Sequence, residues 1–369
     1  MIDVQRGGIS IWLASSIIIL STGILSHVMA LPVILNIAGR DSWVSVIIAA
    51  PIYLIWIFIF IKLVHGLKRI SLIDWIEQHW GKSMGWLMKI VFCGALFFNS
   101  FYTMIDTVMW TNSTYLQQTP IFVIMLCFVL VCFFMAFSGL QSIAIVASIL
   151  LPLVSFLGYF ISFSNMKFKD YSLLFPIFDQ GLQPPIHGSF YVLSSLFDVW
   201  IYILFAHHVK KKIKPWQLFL FGLFMLMIAL GPIIGGITEF GPEEAMKQRH
   251  TAYDQWKILS LGQLLQHTDF LSIYQWLSGS ITRSAISLYL MVDIFQFKTN
   301  KQRYIVMTLL KVLMIGLLFL PWRSEMMLYI LQSFYFPALF GFVIVLCLAI
   351  GITQWIVNRK ESMENDIES

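Results

Sequence analysis

The chain has 369 residues, of which 59% are hydrophobic, 16% aromatic and only 12% charged. A soluble domain carries about 25% charged residues, and a soluble chain of this length needs a charged shell that this sequence does not supply. The formal charge of +5 is small and dispersed, so nothing indicates a nucleic-acid partner. The composition therefore predicts a membrane protein whose main surroundings are lipid.

Apolar stretches long enough to cross a bilayer recur along the whole chain. We predict about ten spans, at 9–37, 42–65, 83–112, 119–137, 141–164, 187–208, 214–237, 270–297, 303–322 and 325–354. No small-residue cleavage site follows the first stretch, so we interpret it as a retained span and not a signal peptide. The fold class is therefore all-α and polytopic, with one membrane domain over residues 1–360 and a short cytoplasmic tail at 361–369.

The distribution of basic residues predicts the orientation. Lys and Arg are about twice as frequent in loops on the N-terminal side, which include Arg6, Arg69 and Lys210 to Lys212, as in loops opposite. Both termini are therefore expected in the cytoplasm. The segment Ile70 to Trp80 alternates apolar and polar residues as an amphipathic interfacial helix does, and Ser71 with Asp74 forms a candidate capping box.

An odd number of spans in each half would place the second half upside down relative to the first. Ten spans thus predict a 5+5 inverted repeat, at about 9–164 and 187–354, like that of many transporters. Spans 1 and 6 then correspond, and each contains small polar residues near its middle: Ser21-Thr22-Gly23 in the first and Ser194-Ser195 in the sixth. We expect both spans to be broken there, with exposed backbone groups for a ligand, although close helix packing is the alternative explanation.

Polar residues inside spans are the next guide, because each is costly in the bilayer. Asn99, Tyr102 and Asp106 share one face of span 3 at spacings of i, i+3 and i+7. Asp198 and Arg283 lie about 16 and 20 Å below the outer ends of spans 6 and 8, at 1.5 Å per residue. We predict a buried Asp198–Arg283 pair with a coupling or gating role, with an inert structural pair as the alternative; Asp106 is the other possible partner of Arg283.

The histidines and cysteines offer no evident chemistry. His27 follows the expected break in span 1 and is interpreted as a packing residue, and His207 with His208 as boundary residues, because no third metal ligand stands nearby in the chain. All four cysteines lie in apolar runs and are expected to be free thiols. No motif for hydrolysis or ATP use is present, so we predict neither an enzyme nor a cofactor or metal.

The residues resemble a known family, the spore germination permeases, which are the B subunits of nutrient germinant receptors within the amino acid–polyamine–organocation superfamily. The resemblance covers about residues 8–356. It depends on the order and spacing of several short motifs, which are Ser21-Thr22-Gly23 with Pro32, Asp41-Ser42-Trp43, Ser71-Leu72-Ile73-Asp74-Trp75 with Gly81-Lys82 and Gly85, Phe175-Pro176-Ile177-Phe178 with Gly181, Pro184 and Gly188, and Trp276 with Arg283.

The resemblance implies a receptor in the inner membrane of a bacterial spore, acting with an A subunit and a lipoprotein C subunit. A small nutrient, such as an amino acid, a sugar or a nucleoside, would bind in a transporter-like pocket and trigger germination. The expected binding residues are Thr22, Gly23, Ile24, Asn99, Tyr102, Ser194, Ser195 and Phe197, and the expected coupling residues are Asp106, Asp198 and Arg283. The alternatives are a secondary transporter of amino acids or related solutes, and a membrane scaffold.

Overall fold

The structure is a computed structural model that describes residues 8–259, 268–297 and 299–368. In these ranges the chain is helical and has no strand beyond an isolated parallel bridge between Ile9 and Val209. The α-helices are α1 (Ile11–Ile24), α2 (Leu31–Ala38), α3 (Ser42–Gly66), α4 (Leu72–Trp80), α5 (Lys82–Thr114), α6 (Ile121–Phe137), α7 (Leu140–Ser164), α8 (Gln183–Leu196), α9 (Tyr202–Phe205), α10 (Pro215–Phe240), α11 (Pro242–Lys247), α12 (Thr251–Ile258), α13 (Leu271–Asp293), α14 (Asn300–Leu318), α15 (Ser324–Ile330) and α16 (Phe336–Glu368).

Six helical stretches of the described chain are long and apolar enough to cross a membrane, and α6 is a shorter apolar helix. These stretches are Ile11–Gly66, Lys82–Thr114, Leu140–Phe168, Gln183–His208, Pro215–Phe240 and Ser324–Arg359. The all-α membrane class is thus confirmed, while the number of ten spans and the inverted repeat stay predictions.

The predicted span at 270–297 corresponds to α13, a helix that is less apolar than the six. It carries buried Ser278, Ser280, Thr282, Arg283 and Ser284. It packs against α1, α5, α6 and α7, so its polar side chains meet protein and not lipid. This environment explains how a polar helix can occupy the centre of an apolar bundle.

The first predicted break has a different form from the one expected. Instead of unwinding at Ser21-Thr22-Gly23, the chain stays α-helical to Ile24, passes through a π-helical turn at Leu25–Met29 and continues as α2. A π-turn adds a residue to the helical repeat, which shifts the direction of the side chains that follow without unwinding the backbone. The chain then turns at Gly39, whose φ of +51° favours glycine.

The sixth predicted span also changes pitch and does not unwind. Its α8 ends at Leu196, the residues Phe197–Ile201 form a 3₁₀ segment, and α9 and a second 3₁₀ turn at Ala206–His208 complete it. The small residues Ser194 and Ser195 therefore lie just before the change and not within it. Both expected interruptions are local changes of helical pitch.

Loops that were predicted to share one side of the membrane come together at one end of the bundle, which we call the N-terminal end. The backbone N–H of Ile9 donates to the carbonyl of His208 at 2.9 Å, and the backbone N–H of Lys210 donates to the carbonyl of Ile9 at 3.0 Å. Arg69 donates to the carbonyl of Lys210 at 2.7 Å. At the opposite, distal end, Arg40 pairs with Asp179 at 3.1 Å.

Helix α4, which is predicted to be interfacial, has Ser71 of the candidate capping box as its N-cap residue. The hydroxyl of Ser71 accepts a hydrogen bond from the backbone N–H of Asp74 at 3.1 Å and donates to its carboxylate at 2.6 Å. The Asp74 carboxylate also accepts from Gln296 at 3.0 Å, which ties α4 to the end of α13.

Candidate functional site

A buried ion pair lies at the centre of the bundle. Arg283 of α13 reaches Asp198 in the 3₁₀ segment of the sixth predicted span: its Nη2 donates to Oδ1 at 3.0 Å, and its Nη1 donates to Oδ2. The two side chains are 1% and 0% exposed. The pairing predicted from helix depth is therefore present, while its role in coupling stays a prediction.

Three further helices converge on this pair. Nη2 of Arg283 donates to Oδ1 of Asn99 at 2.7 Å and lies 3.0 Å from the hydroxyl of Tyr335, which itself donates to Asn99. Nη1 of Arg283 donates to the carbonyl of Ser21 at 3.1 Å, and the hydroxyl of Thr22 donates to Asp198 at 3.2 Å. We call this set, Ser21, Thr22, Asn99, Asp198, Arg283 and Tyr335, the central network.

The π-helical turn at Leu331–Tyr335 ends with the residue that joins this network from the last span. π-Turns re-aim side chains and are frequent at functional sites. The central network thus links the 3₁₀ segment Phe197–Ile201 and the π-helical turn Leu331–Tyr335 to α13, which carries Arg283.

A second arginine enters the bundle from the distal end. Arg249, in the segment between α11 and α12, donates through Nη2 to Asp106 at 2.7 Å and to the hydroxyl of Tyr102 at 3.2 Å. Burial opposes its charge, but the carboxylate of Asp106 and the hydroxyl of Tyr102 outweigh burial and raise the pKa of Arg249. We call Tyr102, Asp106 and Arg249 the distal network.

The predicted polar face of span 3 therefore serves both networks. Asn99 binds Arg283, while Tyr102 and Asp106, one and two turns further along α5, bind Arg249. Asp106 is not a partner of Arg283, which corrects the alternative pairing considered from the sequence.

The distal network retains unused hydrogen-bonding groups. Among the described residues, neither Nη1 of Arg249 nor Oδ2 of Asp106 has a hydrogen-bond partner, although both atoms are buried. Arg249 also lines an open vestibule of about 730 Å³, which is bordered by Pro32, Asn36, Glu243, Gln248, Ser324 and Leu328. Asp106 is not among the lining residues and lies behind Arg249, its hydrogen-bond partner. A donor and an acceptor without partners are suited to a ligand that carries both charges.

The predicted binding residues divide into three environments. Thr22, Asn99 and Tyr102 belong to the two networks, whereas Gly23 and Ile24 line a separate cavity of about 270 Å³ between α1, α7, α10, α12 and α13. This lateral cavity is also lined by His27, Tyr253, Gln275 and Trp276. The side chain of His27 lies 3.0 Å from the carbonyl of Ile228, in agreement with a packing role.

Ser194, Ser195 and Phe197 make other contacts. The two serine hydroxyls donate to carbonyls of their own helix, at Phe190 and Val192, both at 2.8 Å. The ring of Phe197 stacks on Trp56 at 4.2 Å between ring centroids. The structure therefore does not bring all eight expected binding residues to one cavity.

Sequence reasoning missed several residues of the interior. Neither Arg249 nor Tyr335 could be singled out from the sequence, because Arg249 lies in a polar segment between two predicted spans and Tyr335 is an aromatic residue among many. Lys311 of α14 is different: it is 3% exposed and donates to Ser100 at 3.3 Å. Lys311 is a charge in the middle of a predicted span, so the cost of a charge in the bilayer, which singled out Asp198 and Arg283, also applies to it.

A third group of polar side chains lies at the N-terminal end. His207 and His208 were dismissed as metal ligands for want of a third ligand, but Asp293 at the end of α13 supplies one in space. Sequence spacing could not reveal it, because the ligand comes from another helix.

Fold and interior together define a multi-pass helical membrane protein organised around buried charges, a type of interior that is typical of transporters and receptors for small solutes. The chain matches the family described as "Spore germination protein" over residues 9–325. It is 33% identical to Spore germination protein XB of Bacillus anthracis, over 94% of this chain and 97% of the relative. It is also 22% identical to Spore germination protein A2 of Bacillus subtilis (strain 168), over 54% of this chain and 55% of the relative. The chain belongs to the spore germination protein family.

Proposed function

We propose that this protein is the B-type membrane subunit of a nutrient germinant receptor in the spore inner membrane, acting with A and C subunits. It has ten spans in a 5+5 inverted repeat, over 9–164 and 187–354, within a membrane domain of residues 1–360. Both termini, including the tail at 361–369, lie on the cytoplasmic side. A small nutrient enters the vestibule and binds in the distal network, and no catalytic step is involved.

One observation carries the ligand assignment: the distal network holds a buried guanidinium N–H and a buried carboxylate oxygen that lack partners within the described chain. A nutrient carboxylate fits Arg249, and a nutrient ammonium group fits Asp106. Of amino acids, sugars and nucleosides, an amino acid carries both groups. The geometry therefore favours an amino acid as the nutrient.

The same contacts suggest how binding reaches the membrane domain. A carboxylate that engages Arg249 weakens its hydrogen bonds to Tyr102 and Asp106, which lie on the face of α5 that also carries Asn99. Asn99 contacts Arg283, and Arg283 contacts spans 1, 6 and 10. A ligand that binds one arrangement of these helices more tightly shifts the population toward it.

The test is direct binding to the full-length protein in nanodiscs. A panel of labelled amino acids, sugars and nucleosides is screened, and the best ligand is then titrated into Arg249→Gln and Asp106→Asn. We expect each variant to bind at least about 10-fold more weakly, because a charge-assisted hydrogen bond contributes about 1.5–3 kcal/mol. Lys257→Gln is the matched control, since Lys257 lies in the same external segment but pairs at the surface with Asp254 at 2.9 Å.

Unchanged affinity in both variants, or the same loss in the control, would remove the distal network from the binding site. Uptake of the bound ligand into liposomes would instead support the alternative, a secondary transporter of amino acids or related solutes. Binding without uptake supports the receptor.

The proposed orientation has its own test. A cysteine at Glu243 should react with an impermeant thiol reagent added from outside, whereas one at Lys211 should react only after the membrane is permeabilised. The measurement is made in a background in which Cys93, Cys127, Cys132 and Cys347 are replaced. The reverse pattern would overturn the orientation.

A further inference from the structure

We propose that His207, His208 and Asp293 form a binding site for a divalent transition-metal ion at the N-terminal end of the bundle. The histidines lie in the 3₁₀ turn that ends span 6, and the aspartate is the last residue of α13. One ligand atom of each lies within 4.8 Å of the others. Two imidazoles and a carboxylate are a donor set that zinc and its neighbours favour.

The imidazoles have free ligand atoms. In the described ranges, Nδ1 of His207 and Nε2 of His208 are buried without a hydrogen-bond partner. Nε2 of His208 is 3.9 Å from Oδ2 of Asp293, a separation at which these atoms face each other without a good hydrogen bond. Ligands of a tetrahedral zinc ion stand about 3.3–3.6 Å apart, given bonds of about 2.0–2.2 Å, so a small closure brings the three donors onto one ion.

The surroundings leave both space and support for an ion. A cavity of about 200 Å³ adjoins the three side chains and gives room for a water molecule in the fourth position. Arg303 donates to Oδ1 of Asp293 at 3.2 Å, which leaves Oδ2 toward the histidines. An outer hydrogen bond of this kind fixes the orientation of a carboxylate ligand.

The position of the site suggests what an ion would do. The His208 carbonyl accepts a hydrogen bond from Ile9, so the site adjoins the start of span 1 as well as joining spans 6 and 8. A metal ion therefore ties together three segments that must separate if this end of the bundle opens. This regulatory role depends on the proposed function, whereas metal binding itself does not.

The experiment uses the full-length protein in detergent after treatment with EDTA. Calorimetric titration with Zn²⁺ should detect one ion per chain, and Co²⁺ should give the visible absorption of a tetrahedral site. His208→Gln and Asp293→Asn should each weaken Zn²⁺ binding by at least about 100-fold, since even the loss of an outer-shell partner costs about 10- to 100-fold. His79→Gln is the control, because His79 lies at the same end but contacts its own helix at Trp75, 2.8 Å away.

Thermal melting in EDTA separates folding from binding. If Asp293→Asn melts early because Arg303 loses its partner, His207→Gln and His208→Gln decide the matter, since both leave that ion pair intact. Zn²⁺ should raise the melting temperature of the wild type and of His79→Gln, but not that of the site variants. Equal Zn²⁺ affinity in the wild type and the site variants would mean an adventitious ion only and would overturn the proposal.

Discussion

Arg283 and Arg249, the arginines of the two networks, have opposite surroundings, and their side chains are 1% and 18% exposed, respectively. Both terminal nitrogens of Arg283 are engaged, by Asp198, Asn99, Tyr335 and the carbonyl of Ser21. Arg249 uses one terminal nitrogen on Tyr102 and Asp106, and its other has no partner among the described residues. Arg283 lies in α13, and Arg249 lies in the segment between α11 and α12. Arg283 uses both terminal nitrogens to hold helices together, whereas in the proposed function Arg249 keeps one available for a ligand.

Consequences for stability follow from this difference. Removing one member of a fully buried pair leaves the other charge without compensation, which costs about 3–5 kcal/mol. Arg249 has a route to solvent through the vestibule that it lines, so its loss is accommodated more easily. We therefore expect the central network to dominate stability and the distal network to dominate ligand response.

The largest expected effect is at the Asp198–Arg283 pair. Asp198→Asn and Arg283→Gln should each strongly reduce the abundance of the protein in the membrane and its melting temperature in detergent. The double variant should recover part of the loss, because two neutral amides can still form a hydrogen bond between the helices. Membrane abundance by immunoblotting and melting by fluorescence measure all three variants.

Additivity is the outcome that counts against this expectation. If the double variant loses as much as the two single variants combined, the residues are not coupled and the central network is not organised by their pairing. Arg249→Gln provides the comparison, since we expect it to leave abundance near that of the wild type.

A second, smaller effect concerns α1, which lies between the central network and the lateral cavity. Thr22 reaches Asp198, while a Cβ at Gly23 would have no neighbour within 4 Å and Gly23 lines the cavity. We expect α1 to move into this free volume during the nutrient response. Gly23→Leu should fill the volume, and so abolish the response while leaving the protein in the membrane. Germination of spores that carry the variant, measured by the loss of optical density, checks this.

Gly279 gives a matched control on the helix that faces α1. A Cβ at Gly279 would lie 2.9 Å from Cβ of Ile24 and 3.2 Å from the carbonyl of Leu20. Gly279→Ala should therefore lower stability by about 1–3 kcal/mol through overpacking. Normal germination with Gly23→Leu would exclude α1 from the response.

The elements that sequence analysis placed correctly are those with a strong local signal. Hydropathy located the apolar helices, the Ser71–Asp74 spacing gave the start of α4, and helix depth alone brought Asp198 to Arg283. Each of these depends on the rise per residue or on the side-chain pattern of one helix. The depth of a residue and the period of a pattern are properties of a single helix, so both can be predicted without knowing how the helices pack.

The parts that were missed depend on contacts between distant segments. Nothing near Arg249 in the chain indicates that it enters the bundle, and Asp293 meets His208 only because two spans end side by side. The positions of the pitch changes also escaped prediction, since the small residues at Ser21–Gly23 and Ser194–Ser195 precede them. Such features depend on the direction in which each side chain points around its helix axis and on how the helices pack, and hydropathy contains no information about either.

The smallest expected effect is a response of the distal network to acid. His250 follows Arg249 and lies against the ring of Trp276, with 5.1 Å between ring centroids. Burial, followed by the positive charges of Arg249 and Lys257, lowers the pKa of His250 to about 3. In the unfolded chain, a histidine titrates near about 6.5. His250 therefore binds a proton less tightly in the folded protein than in the unfolded chain.

The direction of the pH dependence follows from these two values. Stability contributed by neutral His250 is fully present above a pH of about 6.5 and is lost progressively as the pH falls toward about 3. Acidification from pH 7 to pH 5 should therefore loosen the segment around His250. The rate at which a cysteine at Gln248 reacts with a thiol reagent, divided by the rate of free cysteine at the same pH because acid lowers the thiolate fraction of every thiol, should rise several-fold. His250→Phe should remove most of this acceleration, and a cysteine at Ser284, beside the central network, should show none in either background. An equal acceleration at both cysteines would mean that acid opens the whole bundle. The segment around Arg249 would then be no less stable than the central network around Arg283.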